Sequence, residues 1–197
     1  MKRTGFTITA IVVLLFGLLI ILTQFGDNTV QSAQDIDTID GEEALDLNDH
    51  DYLVYFWQEG CHYCEIIEDD IVQYANEGDL PIYLVDMNEQ QNQSLWYDWQ
   101  AHQDTYNEVV GEIVDGEEEY FVDIEEYLED DSVDWGLEVT EDNEIVAINQ
   151  TPDLNRSPDD SSELDIAGTP TLIRVENNNV VDYAFGDEES VELLEEN

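Results

Sequence analysis

The sequence predicts an α/β domain, and three stretches carry that prediction. Leu53-Val54-Tyr55-Phe56-Trp57 is a continuous apolar and aromatic run, the pattern of a strand buried on both faces. After it, Tyr63, Ile66, Ile67, Ile71, Tyr74 and Ala75 fall at i, i+3, i+4, i+8, i+11 and i+12. That spacing is one face of a helix, with Glu65, Glu68, Asp69 and Asp70 mostly off it. Pro81-Ile82-Tyr83-Leu84-Val85 is a second buried run. Strand, helix, strand in this order makes a right-handed βαβ unit, so the two strands should be parallel. Near the C-terminus the pattern changes. Residues 171–175 read as a strand, Asn177-Asn178-Asn179 as a turn that tolerates positive φ, and residues 180–184 as the antiparallel return. A short helix after Gly186 would bury Val191, Leu193 and Leu194.

The remaining elements follow in chain order. Residues 6–22 carry no charge, and the uncharged stretch widens to residues 4–25, with Lys2 and Arg3 before it and Asp27 after it. About 20 apolar residues span the roughly 30 Å hydrocarbon core of a bilayer. We therefore read residues 1–25 as an N-terminal transmembrane helix. The leading basic pair keeps the N-terminus cytoplasmic and sends the rest outside. A cleaved signal peptide is the competing reading, with Val30-Gln31-Ser32 as a passable cleavage site, although its apolar stretch would be shorter. Residues 26–39 are polar and aperiodic and read as a tether. The folded domain would then span 40–197. Asp40-Gly41-Glu42-Glu43 starts a short helix through Leu47, with a cap and an acid three residues on. Between the two halves lies an insertion, residues 87–163. In it, Leu95-Trp96-Tyr97-Asp98-Trp99 reads as helical, Asp115-Gly116 as a tight turn, and residues 135–140 and 144–149 as a hairpin.

Charge limits the function. Of 54 charged residues, 50 are Asp or Glu, and the formal net charge is −46. Lys2 and Arg3 apart, the only cations are Arg156 and Arg174. Such a surface cannot neutralise phosphates, so no nucleic acid is expected as partner, and docking on anionic headgroups is disfavoured. With 42% hydrophobic and 10% aromatic residues, the chain can nevertheless bury a core. Self-repulsion of this size points to a halophilic or alkaliphilic exterior.

The chemistry sits in Cys61-His62-Tyr63-Cys64, between the first strand and its helix, and these are the only two cysteines. A cysteine at a helix N-terminus meets unpaired N–H groups that favour thiolate. A second cysteine one turn in is shielded and can close a disulfide on the first. Zinc needs four ligands, and only His50, His62 and His102 are available to complete a set, so no metal and no cofactor are expected. A purely structural disulfide closing so short a loop would stabilise little. His62 lies beside Cys61, where a cation favours thiolate; Glu65 acts in the opposite sense. His50 and His102 read as surface residues. Trp96, Tyr97 and Trp99 either line a groove or fill the insertion's core, and core filling is the favoured reading. Asp130, Ser132, Asp134 and Glu141 do not fit a calcium loop, since Gly136 comes one position late. Asn92, Asn149 and Asn155 begin N-x-S/T triplets.

Residues 54–64, ending in Cys61-His62-Tyr63-Cys64, resemble the active-site segment of thioredoxin-fold proteins. Ile166-Ala167-Gly168-Thr169-Pro170-Thr171-Leu172-Ile173 resembles their cis-proline segment, and residues 180–194 their last strand and helix. The resemblance covers residues 40–88 and 161–197. It implies a thioredoxin-like three-layer α/β/α sandwich, with the insertion 87–163 placed before the cis-proline strand. It further implies that Cys61 is the nucleophile and Cys64 the resolving thiol, with His62, Tyr63 and Glu65 modulating them. By the same resemblance the Thr169–Pro170 bond is cis, and Thr169 and Pro170 bind an extended substrate segment. The chain departs from the family pattern in three ways. Gly60 precedes the motif and His62-Tyr63 fills it, Tyr55 replaces the buried Asp common six residues before the first cysteine, and Glu65 replaces Lys.

Two functions compete on these grounds. The first is a membrane-anchored extracytoplasmic thiol–disulfide oxidoreductase that exchanges its dithiol with exported thiol or disulfide proteins and with a membrane redox partner. Its direction, oxidase or reductase, stays open. The second is a non-catalytic thioredoxin-fold adaptor that holds a partner protein through its insertion.

Overall fold

Burial on both faces explains the central strand, β1 (Asp51–Trp57), in which Tyr52 to Phe56 expose no surface. The computed structural model describes residues 29–197, and Ser32–Asn197 form one compact unit. The anchor expected over 1–25 lies outside the described residues. Among the described residues no helix is long and apolar enough to cross a membrane. Residues 32–39, expected as tether, belong to the folded unit instead. Ala33 and Ile36 are buried, and Thr38 bridges Leu84 in parallel. The Ile39 N–H donates to the Leu84 carbonyl (2.9 Å), and the Leu84 N–H to the Asp37 carbonyl (2.9 Å). Ala33, Ile36 and Ile39 are the only apolar residues of this stretch, too few among polar neighbours to define an element.

After β1 come α1 (His62–Ile66) and α2 (Glu68–Glu77), joined through Ile67 at φ −96° and ψ 6°. β2 (Ile82–Asp86) pairs with β1 in parallel, Leu53 opposite Ile82. The apolar helix face needs one correction. Its inward positions are Cys64, Ile67, Ile71 and Tyr74, whereas Tyr63 and Ile66 are 55% and 53% exposed. Cys64 takes the inward place of the first turn, and its neighbours at about 100° per residue turn outward.

The insertion contains α3 (Trp99–Tyr106), β3 (Glu108–Val114), β4 (Glu117–Tyr120), α4 (Glu125–Leu128), β5 (Trp135–Val139) and β6 (Glu144–Asn149). Its strands form an antiparallel sheet of their own, ordered β4-β3-β6-β5. Asp115 and Gly116 make the tight turn with φ of 54° and 86°. Val110, Ile145 and Ala147 form its small core, with Ile113, Ile124, Tyr127 and Trp135 packed on them. The helix expected over 95–99 is displaced. Gln90–Leu95 is a 3-10 turn, Trp96 bridges Ile166, and the helix begins only at Trp99, where the Asp98 side chain caps the Ala101 N–H. Asp98 stops a helix from running through it, because its carboxylate is taken by the cap.

The chain closes with β7 (Thr171–Glu176), β8 (Asn179–Phe185) and α5 (Gly186–Glu196). β7 lies antiparallel to β1 and β8 to β7, giving the order β2-β1-β7-β8. Asn177 and Asn178 turn with φ of 50° and 64°. On one face of this sheet α5 packs against β7 and β8, and α1 and α2 pack against α5. On the other, Tyr52, Val54, Phe56, Val85, Ile173 and Val175 meet Ala44, Leu45, Leu95, Leu164 and Ile166. That second cover consists of 3-10 turns (Gly41–Glu43, Gln90–Leu95, Ser161–Glu163) and extended chain, not α-helices. The strand order, the cysteine-bearing helix and the cis Thr169–Pro170 bond agree with the thioredoxin-like arrangement expected from the sequence, with a lighter third layer than the expected sandwich.

Candidate active site

Gly60 makes the turn that ends β1; its φ of +77° suits a residue without Cβ. The Cys61 N–H donates to the Gln58 carbonyl (3.3 Å), which holds Cys61 at the N-cap of α1. There Cys61 Sγ accepts the Cys64 N–H at 3.1 Å, so the sulfur takes one of the donors a helix start leaves unpaired. Cys61 is half-buried and Cys64 is 2% exposed; the two are joined as a disulfide, with Cα atoms 5.2 Å apart. Across from them, the cis Thr169–Pro170 bond brings the Thr169 carbonyl oxygen to 3.1 Å from Cys61 Sγ. When Cys61 is a thiol, its S–H donates to this oxygen.

The proline loop is held on both sides. Thr171 Oγ1 donates to the Gly168 carbonyl (2.8 Å), and the Gly186 N–H to the Pro170 carbonyl (2.9 Å). Of the residues singled out in sequence, Cys61, Cys64, Thr169 and Pro170 meet at this point. His62, Tyr63 and Glu65 stand exposed on α1, the His62 and Tyr63 rings 5.7 Å apart. Tyr63 and Ile66 thus give α1 an exposed apolar surface just after Cys61 in the chain.

Tyr55, in place of an acid, is fully buried and its hydroxyl has no hydrogen-bond partner. Burial pushes its pKa up, and the charge of Glu68 adds to the shift. Tyr55 therefore stays protonated and is no proton acceptor for Cys64. Glu68, four residues after Cys64, is half-buried and accepts the Ala33 N–H at 3.4 Å. The helical pattern puts Glu68 mostly off the apolar face, yet its i, i+4 spacing from buried Cys64 brings it partly under cover.

His102, expected on the surface, is 4% exposed. Trp99, Tyr97 and Tyr106 surround it at ring distances of 4.7 to 5.6 Å. His50 is exposed and apart from the site. No group of three or more His, Cys, Asp or Glu side chains suited to a metal occurs among the described residues. Asn92 and Asn149 are buried, which removes them as glycosylation acceptors, while Asn155 is exposed. Asn92 is structural: its Oδ1 accepts the Gly41 N–H (2.9 Å), and its Nδ2 donates to the Asp86 carbonyl (2.8 Å).

No family model matches the chain, and no curated protein matches it in sequence. Among solved structures it is similar to thioredoxin f2 of Chlamydomonas reinhardtii, with 11% identity and a TM-score of 0.36, over 80% of this chain and 90% of that one.

Proposed function

We propose that this chain is a membrane-anchored extracytoplasmic thiol–disulfide oxidoreductase, with Cys61 as nucleophile and Cys64 as resolving thiol. One observation carries the reading. The sulfur of half-buried Cys61 sits at a helix start and accepts a backbone N–H, while Cys64 is buried one turn in. An N–H aimed at sulfur favours thiolate over thiol. The anchor and the exported substrates rest on the apolar run 4–25 and the basic pair before it.

In the reducing direction, the Cys61 thiolate attacks one sulfur of a substrate disulfide. A mixed disulfide forms and the other substrate sulfur leaves as thiolate. Cys64, deprotonated, then attacks Cys61 Sγ and releases the second substrate thiolate. Two electrons pass from the Cys61/Cys64 dithiol to the substrate, whose two thiolates take up two protons. The oxidising direction is the same sequence reversed. Tyr63 and Ile66 offer apolar contact to an unfolded segment, and the Thr169 backbone pairs with it beside Pro170. A protonated His62 adds to thiolate stability, and Glu65 subtracts from it. Resupply or removal of electrons falls to a redox partner in the membrane.

Thiol trapping with non-reducing gels tests the roles. Cys64→Ser should accumulate mixed disulfides with exported proteins, and Cys61→Ser should not. Equal trapping through either cysteine would sink the assignment. If wild type and the Cys61→Ser/Cys64→Ser double variant turn over a disulfide-bonded peptide alike, the adaptor function replaces the catalytic one. The equilibrium potential settles direction: near −270 mV the chain is a reductant, near −120 mV an oxidant.

A further inference from the structure

The insertion is bonded to the proline loop at three points. The Ile166 N–H donates to the Leu95 carbonyl (2.8 Å), and the Tyr97 N–H donates to the Ile166 carbonyl (3.1 Å). The third bond comes from a side chain: Trp99 Nε1–H donates to the Ala167 carbonyl at 2.9 Å. Ala167 stands two residues before Thr169, whose carbonyl oxygen faces Cys61 Sγ.

Trp99 is itself fixed from the far side. Its ring packs edge-on against Tyr97 (5.1 Å, 77°) and His102 (5.2 Å, 75°). Tyr97 Oη lies 2.8 Å from His102 Nδ1, and His102 Nε2 lies 3.2 Å from the Asn149 carbonyl on β6. A neutral imidazole with its proton on Nε2 satisfies both contacts, since Nε2–H donates to Asn149 and Nδ1 accepts the Tyr97 hydroxyl. Tyr97 Oη also accepts the Asp153 N–H at 3.1 Å. A continuous path of hydrogen bonds and ring contacts therefore runs from the second sheet to the Ala167 carbonyl, two residues before the one that faces Cys61 Sγ.

We infer that Trp99 is a positioning residue for Cys61, through which the insertion fixes the Ala167–Thr169 backbone against the reactive sulfur. The inference rests on the proposed redox function and gives the insertion a part in it. A buried indole N–H needs some acceptor in any core; that the acceptor here is a carbonyl of the proline loop is what ties the ring to the site. A carbonyl oxygen 3.1 Å from sulfur accepts a thiol proton and repels a thiolate, so its position sets the balance between the two. The same backbone is the one presented to a substrate segment.

The test uses the full chain and the variant Trp99→Phe, which keeps an aromatic ring and removes the donor. Trp135→Phe is the control, a second insertion tryptophan that packs on Tyr127 at 5.1 Å. Thiolate absorbance, equilibration with glutathione, and KM and kcat on a disulfide-bonded peptide are read for each. In Trp99→Phe the Cys61 titration midpoint should fall by about half a pH unit, roughly threefold in the acid constant. KM should rise about fivefold, the worth of one hydrogen bond, with a smaller change in kcat. Trp135→Phe should leave both near wild type. A measurement on the unsubstituted chain guards against a variant that folds poorly. On reduction of the disulfide, the Trp99 indole N–H resonance should shift and that of Trp135 should not. An unchanged midpoint and KM in Trp99→Phe, or equal shifts of the two indoles, would overturn the inference. A wild type that turns over no disulfide would refute the redox function alone, because titration and resonance shifts still read the positioning.

Discussion

Tyr55 places a phenol in a fully buried position where its hydroxyl has no hydrogen-bond partner in the protein. An orphaned buried hydroxyl costs about 1–3 kcal/mol, while the ring around it is well packed. Tyr55→Phe should therefore stabilise the domain by about 1 kcal/mol, read as a higher midpoint in urea denaturation. A loss of 1 kcal/mol or more would mean that the hydroxyl has a partner. The sign with pH follows from the raised pKa. Native Tyr55 stays neutral while the unfolded phenol ionises near 10, so its contribution is full below about pH 10 and is lost as pH rises above that. Tyr55→Phe should accordingly move alkaline unfolding to higher pH. The hydroxyl was visible in the sequence as a departure from the family pattern, but its lack of a partner depends on what packs over it.

At the scale of elements, legibility followed how much of an element's pattern is local. β1, β2 and β7 were readable because each buries a largely continuous run, and β8 because it returns from the Asn177-Asn178 turn, whose residues positive φ selects. The meeting of Cys61 and Cys64 with Thr169 and Pro170 was readable because each motif lies within a single segment. Of the 3-10 cover over the second face only the start at Asp40 was readable, and that turn ends at Glu43 rather than running through Leu47; Gln90–Leu95, which it contacts, shows no period. His102 was misplaced for a similar reason: its burial depends on Asn149, 47 residues away. The contact between the two turns makes its own prediction. A Cβ on Gly41 would run into Leu95 Cδ1 and come within 3.1 Å of Asn92 Oδ1. Gly41→Ala should destabilise by about 1–3 kcal/mol, the usual cost of overpacking. A urea midpoint equal to wild type would show that the 90–95 turn yields without cost.

Over the whole molecule, charge outweighs its few pairings. Arg156 pairs with Glu189 at 2.8 Å and donates to the Tyr183 carbonyl at 2.8 Å. Arg174 pairs with Asp51 at 2.9 Å and with Asp182 at 3.8 Å. The Arg174 guanidinium holds the Asp51 carboxyl below its usual range. These two are the only Lys or Arg beyond Arg3, so nearly all of the 50 acidic groups face solvent or one another without a cation. Screening relieves that repulsion, because the Debye length shrinks from about 10 Å at 0.1 M salt to about 3 Å at 1 M. The domain should melt markedly higher in 1–2 M NaCl than in 50 mM, read by circular dichroism. A melting temperature flat across the series would remove the halophilic expectation and leave the redox chemistry untouched.

The pairing of β1 with β7 also sets an order of assembly. Asp51 and Arg174, bonded across those two strands, stand 123 residues apart, whereas both hairpins of the insertion join near neighbours. Local hairpins close in about 1–10 μs, while contacts across so long a loop wait on a larger loss of chain entropy. A chain emerging from its N-terminus therefore completes the cysteine turn and the insertion before the Thr169 carbonyl can reach Cys61. Until the last strands arrive, the two sulfurs have a helix start on one side and an open flank on the other, and the nascent domain is most open to wrong partners for its own cysteines during that interval.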